Sequence, residues 1–464
     1  MNLKSYITDE DYNVWSGPDW PSFENLLAGN YAVGEEIQKE VDEFINLYVK
    51  KGTVFPIKTA TACQRKWTES NLWLNDLSSN SCQRITPIKF ELKDFDNFHN
   101  LPRKVADRET MLKGEWPDNG CSYCQNIEQA GGISDRVQFL NHRGVTPKEL
   151  ETNPTAVNVT PKMLQVWAQN TCNMSCIYCN SNFSSQIEKE NLKHGEFNSG
   201  GVHIPVIKIP TQAAKEYFDR FLIWLDQHLI DLTRLMVLGG ETLLQHELMT
   251  GVLDVFERRP NPNLEFCIYS NFNVPDSAWD RYIPRILDLQ KKGHIKVFDL
   301  MASIDCWGPE SEYVRSGLDL KKFEQRFAWA ADQDPNGLRL NVSETMTPMT
   351  IKTAPELIEK INHYRKKRPI GHYFSFYFGN QKFQNPDIFA YSMWEKDFEK
   401  ILKLMPTNDT DQQESKDRMI GIQKYLQQSV EHNYAEIKNL HIYLDELDRR
   451  RGTDWQKLFS YLKV

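Results

Sequence analysis

Cys172, Cys176 and Cys179 stand in the string Asn170-Thr171-Cys172-Asn173-Met174-Ser175-Cys176-Ile177-Tyr178-Cys179-Asn180. Thiolate is the usual ligand of iron–sulfur clusters, and a complete structural site takes four of them. Three at C-x3-C-x2-C spacing can grip three irons of a cubane 4Fe–4S cluster and leave the fourth iron without a protein ligand. An open iron can chelate a small molecule and pass one electron into it. The competing readings are three buried thiols, or part of a zinc site completed from elsewhere. Zinc sites usually pair cysteines as C-x2-C and add two distant ligands. Here an extra cysteine precedes the pair, and no nearby histidine completes a tetrahedral set.

The elements that must position such a site can be read around it. Met163-Leu164-Gln165-Val166-Trp167-Ala168 has the partial alternation and β-prone content of a short strand. The cysteine loop then lies at that strand's C-terminal end, where barrel enzymes carry their chemistry. Arg234-Leu235-Met236-Val237-Leu238 reads as a buried strand running into Gly239-Gly240-Glu241. Paired glycines let a backbone approach a ligand closely, and a carboxylate directly after them can hold an ammonium group. Alone, this tripeptide is also an ordinary turn. Glu265-Phe266-Cys267-Ile268-Tyr269 ends in Ser270-Asn271, and Val297-Phe298-Asp299-Leu300-Met301-Ala302 leads into Ser303-Ile304-Asp305, with Tyr313-Val314-Arg315 following. Singly, such polar strand ends are more often caps or turn residues. In order, they form a series.

The triad, the Gly-Gly-Glu and this series resemble the radical S-adenosylmethionine (SAM) superfamily. The resemblance implies that the open iron of a 4Fe–4S cluster binds the amino and carboxylate groups of SAM. It implies that Gly239, Gly240 and Glu241 end the second barrel strand, with Glu241 on the SAM amine. Tyr178 would lie beside adenine, Ser270, Asn271 and Ser303 around ribose and carboxylate, and Arg315 near SAM. "S-x-D" at the fourth strand is similar to peptide-modifying members. The fold expected is α/β, a partial (β/α)6 TIM-like barrel.

Composition bounds this reading. The chain has 464 residues with 40% hydrophobic content, enough for two or three domains with sizeable cores. A net charge of −8 gives no general affinity for nucleic acid or anionic membranes. No apolar run approaches the ~18 residues of a membrane span, and Met1 to Glu10 lacks the apolar stretch of a signal peptide. Nine cysteines in such a chain argue for metal or redox chemistry rather than disulfides, and for a cytoplasmic protein.

Four further cysteines lie upstream: Cys63, Cys82, Cys121 and Cys124, amid loop-like sequence such as Gly114-Glu115-Trp116-Pro117-Asp118-Asn119-Gly120. Four thiolates can hold a second cluster or a zinc ion, and the thiolate set alone does not separate the metals. The segment resembles the SPASM/twitch auxiliary-cluster modules of radical SAM proteins. Cys63 with Trp67 matches an opening C-x3-W, Cys82 a second ligand, and Cys121 and Cys124, with Glu128, Gly131, Ser134 and Arg136, a closing segment. In most such proteins the module follows the barrel; here it precedes it. The order resembles that of uncharacterised twitch-domain radical SAM proteins, over about Cys63 to Tyr377.

The expected organisation is an N-terminal extension (1–55), with a helix around Gly34 to Lys50; a twitch-like auxiliary-cluster module (56–152); a partial barrel (160–384); and a helical C-terminal extension (385–464). Asn153 to Pro161 reads as a linker. Helical stretches Thr211–Asp231 and Pro355–Lys366 alternate with short apolar strands, including 338–343 and 372–377, which implies parallel strands with helical crossovers. Tyr434, Ile437, Leu440, Leu444 and Leu447 form one apolar stripe at helical spacing. Arg449-Arg450-Arg451-Gly452 suits that helix's C-terminus, with a phosphate-binding basic patch as the alternative.

The activity expected from the resemblance is reductive cleavage of SAM to a 5′-deoxyadenosyl radical, which takes a hydrogen atom from a substrate. A peptide or protein substrate is favoured because auxiliary modules commonly accompany peptide enzymes. Tailoring of a small molecule such as a sugar or nucleotide, and a non-catalytic iron–sulfur scaffold or sensor, are the alternatives. The electron donor would be a flavodoxin or ferredoxin. Cys306, directly after Asp305, could return a hydrogen atom to a substrate radical; a small buried residue is its ordinary role. Cys267 reads as core.

Overall fold

The computed structural model describes residues 57, 59–118, 120–129, 134–139, 150, 154–209, 213–376 and 381–464. The expected extension 1–55 with its helix, Gly131, Asn153 and Tyr377 lie outside the described residues. The architecture is mixed α/β around a large, mostly parallel sheet. The chain divides into two compact units, Met1–Trp167 with Ala213–Met236, and Ala168–Gln212 with Val237–Val464.

The first unit holds the strand Glu69–Trp73, which pairs in parallel with Met163–Trp167 and antiparallel with Ser78–Asn80. Ser78–Asn80 pairs in turn with Ile88–Lys89. Glu69, Ser70 and Asn71 open this strand as polar residues yet are buried, and each makes a side-chain hydrogen bond, though the Asn71 side-chain oxygen accepts none. Gln165 donates to Glu69 at 2.9 Å, Ser70 meets the His99 ring at 2.7 Å, and Asn71 donates to Asn80 at 2.7 Å. Satisfied hydrogen bonds remove the penalty that would otherwise keep such groups at the surface. The parallel strand comes from the segment expected to form a separate cysteine-rich module, so that segment shares the sheet with Met163–Trp167.

The second unit contains the strands Asn261–Ser270, Ile295–Ser303, Leu338–Met346 and Gly371–Phe376, each parallel to the next. Helices Asp276–Lys291, Leu320–Ala331 and Ala354–Arg365 make the crossovers that parallel pairing demands. Arg234–Leu238 carries the chain from the first unit into the second. All six strands expected from the sequence are present in chain order.

The helix Tyr434–Arg451 starts at Asn433, whose side chain accepts from the Glu436 amide. It ends at Gly452, left-handed at φ 71°, whose amide donates to Asp448. Ile437, Leu440, Leu444 and Leu447 are buried as their spacing predicts, in one core with Ile177, Val314, Met346, Phe374 and Trp394, whereas Tyr434, expected in the same stripe, is exposed at the helix's first turn. The C-terminal helices therefore share their core with the strand ends and with the cysteine loop.

Candidate functional site

The Cys172–Cys179 loop is held from three sides within the second unit. Ser184 caps the helix Ser185–His194 by accepting from the Ile187 amide, and its hydroxyl donates to the Met174 carbonyl at 2.6 Å. Ser185 closes the loop's start: its amide donates to Asn170 at 2.7 Å and its hydroxyl to the Cys172 carbonyl at 3.2 Å. Farther on, Ser175–Cys176 pairs antiparallel with Arg315–Ser316, placing Arg315 opposite Cys176. The Ile177 amide donates to Val314 at 2.9 Å, and the Ile177 carbonyl accepts from the Tyr443 hydroxyl.

Gly239-Gly240-Glu241 lies directly on the backbone that precedes Cys172. The Gly240 amide donates to Gln169 at 2.9 Å and the Glu241 amide to Thr171 at 2.8 Å. A Cβ on Gly240 would stand 2.4 Å from the Thr171 oxygen. Gly239, at φ 138°, would place one 2.7 Å from the Gln169 oxygen. Both positions need glycine because two backbones meet there.

Glu241 is 1% exposed. Its carboxylate accepts from the Asn271 amide at 2.7 Å and the Leu243 amide at 3.2 Å, and from the Ser270 side chain. Burial nevertheless pushes its carboxyl up to about 7, against the pull of these bonds. Asn271 also reaches the cysteine loop, donating to the Asn173 side chain at 2.8 Å, and Asn173 donates to the Asn273 carbonyl at 3.0 Å. Ser303 ends its strand half-buried, opposite Ser343.

Asp305 collects the remaining polar groups. It accepts from Arg315 Nε at 2.7 Å and Nη2 at 3.0 Å, from the Tyr178 hydroxyl at 2.8 Å and from the Thr345 amide at 2.8 Å. The sequence reading gave Asp305 no role beyond the strand-end pattern, and Asn173 and Tyr443 no role at all. Their partners lie far along the chain, and only the topology brings them together. Cys306 is fully buried, its thiol held well above the ordinary range by burial. Cys267 is likewise fully buried within its strand.

Burial pushes the thiols of Cys172, Cys176 and Cys179 up, Cys179 to about 12, and the Cys176 and Cys179 charges add to the rise at Cys172. Cys176 is buried and Cys172 and Cys179 are half-buried, a set of sulfur donors that a cationic centre would relieve by taking them as thiolates. The four upstream cysteines behave alike within the first unit. Burial pushes Cys63 to about 12, with Cys82 and Cys121 adding to it, and Cys124 acts on both Cys82 and Cys121. The Arg84 amide donates to the Cys82 sulfur at 3.4 Å, while Cys124 accepts from the Arg136 backbone. Arg136 is fixed by Glu128, which accepts from its Nε at 2.9 Å, and by the Ala62 carbonyl at 2.7 Å. Soft sulfur donors with hydrogen bonds from protein N–H groups fit a thiolate-ligated metal centre. Among the described residues, no three His, Cys, Asp or Glu side chains close on one point as ligands of a single ion do. Thiolates of a cubane each take their own iron.

The basic run at the C-terminus is engaged internally. Arg450 donates to Glu446 at 2.6 Å, to Asn191 at 2.8 Å and to the Gly195 carbonyl at 3.1 Å, and Arg451 pairs with Glu190 at 2.9 Å. These bonds tie the helix Tyr434–Arg451 to the helix Ser185–His194 that follows the cysteine loop. No described helix is long and apolar enough to cross a membrane. Scanned against protein-family models and searched against curated proteins, the chain matches none.

Proposed function

We propose that this chain is a radical SAM enzyme whose substrate is a peptide or protein, built on a partial (β/α)6 barrel with an auxiliary cluster at Cys63, Cys82, Cys121 and Cys124. The observation that carries the reading is the union of the two motifs: Gly239-Gly240-Glu241 bonds onto the residues immediately before Cys172 with no room for a side chain at either glycine. A ligand whose amine is bound to an iron and also donates to Glu241 needs that adjacency.

Bound together at this site, a three-thiolate 4Fe–4S cluster and SAM would supply one-electron reductive cleavage of the sulfonium and radical abstraction of hydrogen from substrate. The chain's part is binding, orientation and exclusion of water. Cys172, Cys176 and Cys179 hold the cluster. Glu241 offers the amine a carboxylate whose position is set by two backbone amides. Ser270, Asn271 and Ser303 line the nucleoside side, and Tyr178 is steadied by its bond to Asp305. Electrons come from a flavodoxin- or ferredoxin-type donor, in keeping with a cytoplasmic enzyme.

The test is anaerobic reconstitution of the full chain with iron and sulfide, followed by dithionite and SAM. Formation of 5′-deoxyadenosine and methionine, lost in the Cys176→Ala variant, supports the reading. A reconstituted cluster that binds SAM without cleaving it favours a scaffold or sensor.

A further inference from the structure

We propose that Asp305 and Arg315 form a charge clamp that sets the reduction potential of the centre held by Cys172, Cys176 and Cys179; the proposal rests on the radical SAM reading and deepens it. Arg315 uses Nε and Nη2 to grip both oxygens of Asp305, at 2.7 and 3.0 Å. That fork leaves Nη1 4.0 Å from the Cys176 sulfur. The distance is imposed twice. The backbone pairs Arg315 with Cys176 in register, and Val314 accepts the Ile177 amide. Asp305 is itself immobilised, by the Tyr178 hydroxyl and by the Thr345 amide, both at 2.8 Å.

The pair is buried, with Arg315 and Asp305 side chains 9% and 1% exposed. Charges there act through a medium of low polarity, so a difference of a few ångströms decides which partner dominates. The guanidinium is the charge held against the cluster ligand, with Nη1 4.0 Å from the Cys176 sulfur and both Asp305 oxygens turned to its other nitrogens. Cluster potentials follow net charge, exposure and hydrogen bonds to sulfur. Each electron added from an external donor places one more negative charge beside Cys176, and the fixed guanidinium stabilises that charge. Asp305 is the positioning residue, since the planar fork of arginine is what it orients.

The experiment is an EPR-monitored redox titration of reconstituted full-length protein, following the signal that shifts on SAM addition. In Arg315→Gln the ratio of reduced to oxidised centre, at a fixed poise, falls about tenfold, or ~59 mV for one electron. Asp305→Asn/Arg315→Gln removes both charges and leaves no lone buried carboxylate, so it keeps the test open if the single variant fails to fold. Its potential also falls, by less. A midpoint unchanged or raised in a folded variant overturns the clamp alone. Wild-type protein that takes up no iron at Cys172, Cys176 and Cys179 overturns the functional reading, and the clamp with it.

Discussion

Asn271 donates to the side chain of Asn173 at 2.8 Å, joining the end of the Asn261–Ser270 strand to the loop between Cys172 and Cys176. The bond continues through Asn173 to the Asn273 carbonyl. Its neighbour Phe272 sits at φ 56°, an uncommon conformation for a bulky residue, with its amide on Ser270 Oγ at 3.1 Å. Asn271→Ala and Asn173→Ala should each cost about 1 kcal/mol, and the double variant should cost less than their sum. Denaturant unfolding of the four proteins in the cycle measures this. Strictly additive losses would mean that the two side chains act independently.

Gly240 and Gly452 should respond differently to alanine. At Gly240 the new carbon meets the Thr171 oxygen at 2.4 Å, so the strand end or the cysteine loop must move. Gly452 has open space and only its left-handed φ of 71° to resist substitution. Gly240→Ala is expected to destabilise by about 1–3 kcal/mol and to weaken SAM binding at least tenfold. Gly452→Ala costs about 1 kcal/mol and leaves binding unchanged. Thermal unfolding and equilibrium binding of SAM, run side by side, separate the two.

Glu241 predicts a pH dependence whose sign follows from its burial. Burial pushes its carboxyl up to about 7 in the free protein, and an iron-bound amine that donates to it selects the ionised, acceptor form. Binding below pH 7 must therefore expel a proton, and affinity for SAM should rise with pH, at most about tenfold per unit, levelling off above 7. The same raised value means that Glu241 favours the ligand-free fold at low pH and that this contribution is lost as pH rises through 7. Calorimetry in two buffers of different ionisation enthalpy reads the released proton directly. Glu241→Gln should abolish the slope as well as most of the affinity; a slope that survives would assign the proton elsewhere.

The sequence made the six strands legible because each is an apolar run ending in polar residues, and packing honours that pattern at both ends. Leu338–Met346 and Gly371–Phe376 fall within a few residues of where the pattern placed them. Glu69–Trp73 escaped because burial was read from hydrophobicity. Its glutamate, serine and asparagine are buried through bonds to Gln165, His99 and Asn80, partners that composition does not reveal. Within the site, residue types and spacing singled out the cysteines and the Gly-Gly-Glu. The Asp305–Arg315 and Asn173–Asn271 pairs depend on which loops the sheet brings together, and no local pattern carries that. Tyr178 was assigned from the resemblance to a place beside adenine; its hydroxyl is engaged by Asp305, which fixes the ring from its far end.

Arg449, Arg450 and Arg451 give the basic run an internal test. Arg450 is fully buried, and its guanidinium serves Glu446, Asn191 and the Gly195 carbonyl. Arg450→Ala leaves Asn191 and the Gly195 carbonyl without their donor, while Glu446 keeps its bonds to Arg449 at 2.7 and 2.8 Å, and should cost about 1–3 kcal/mol. Arg449, whose side chain is largely exposed, should tolerate alanine with no measurable change in midpoint. A phosphate-binding patch would instead show both variants losing phosphate affinity while folding normally.

The second cysteine set predicts a metal count. If both sets carry four-iron cubanes, reconstituted protein holds about eight irons per chain, falling to about four in Cys121→Ala/Cys124→Ala. Cys63 and Cys121 lie against the same small core as Trp67 and Met111, so losing this centre should also lower thermal stability. About four irons with one zinc in the wild type would assign zinc to the upstream set. The triad's count is the control: in that case too, Cys176→Ala removes the remaining iron, and the zinc stays.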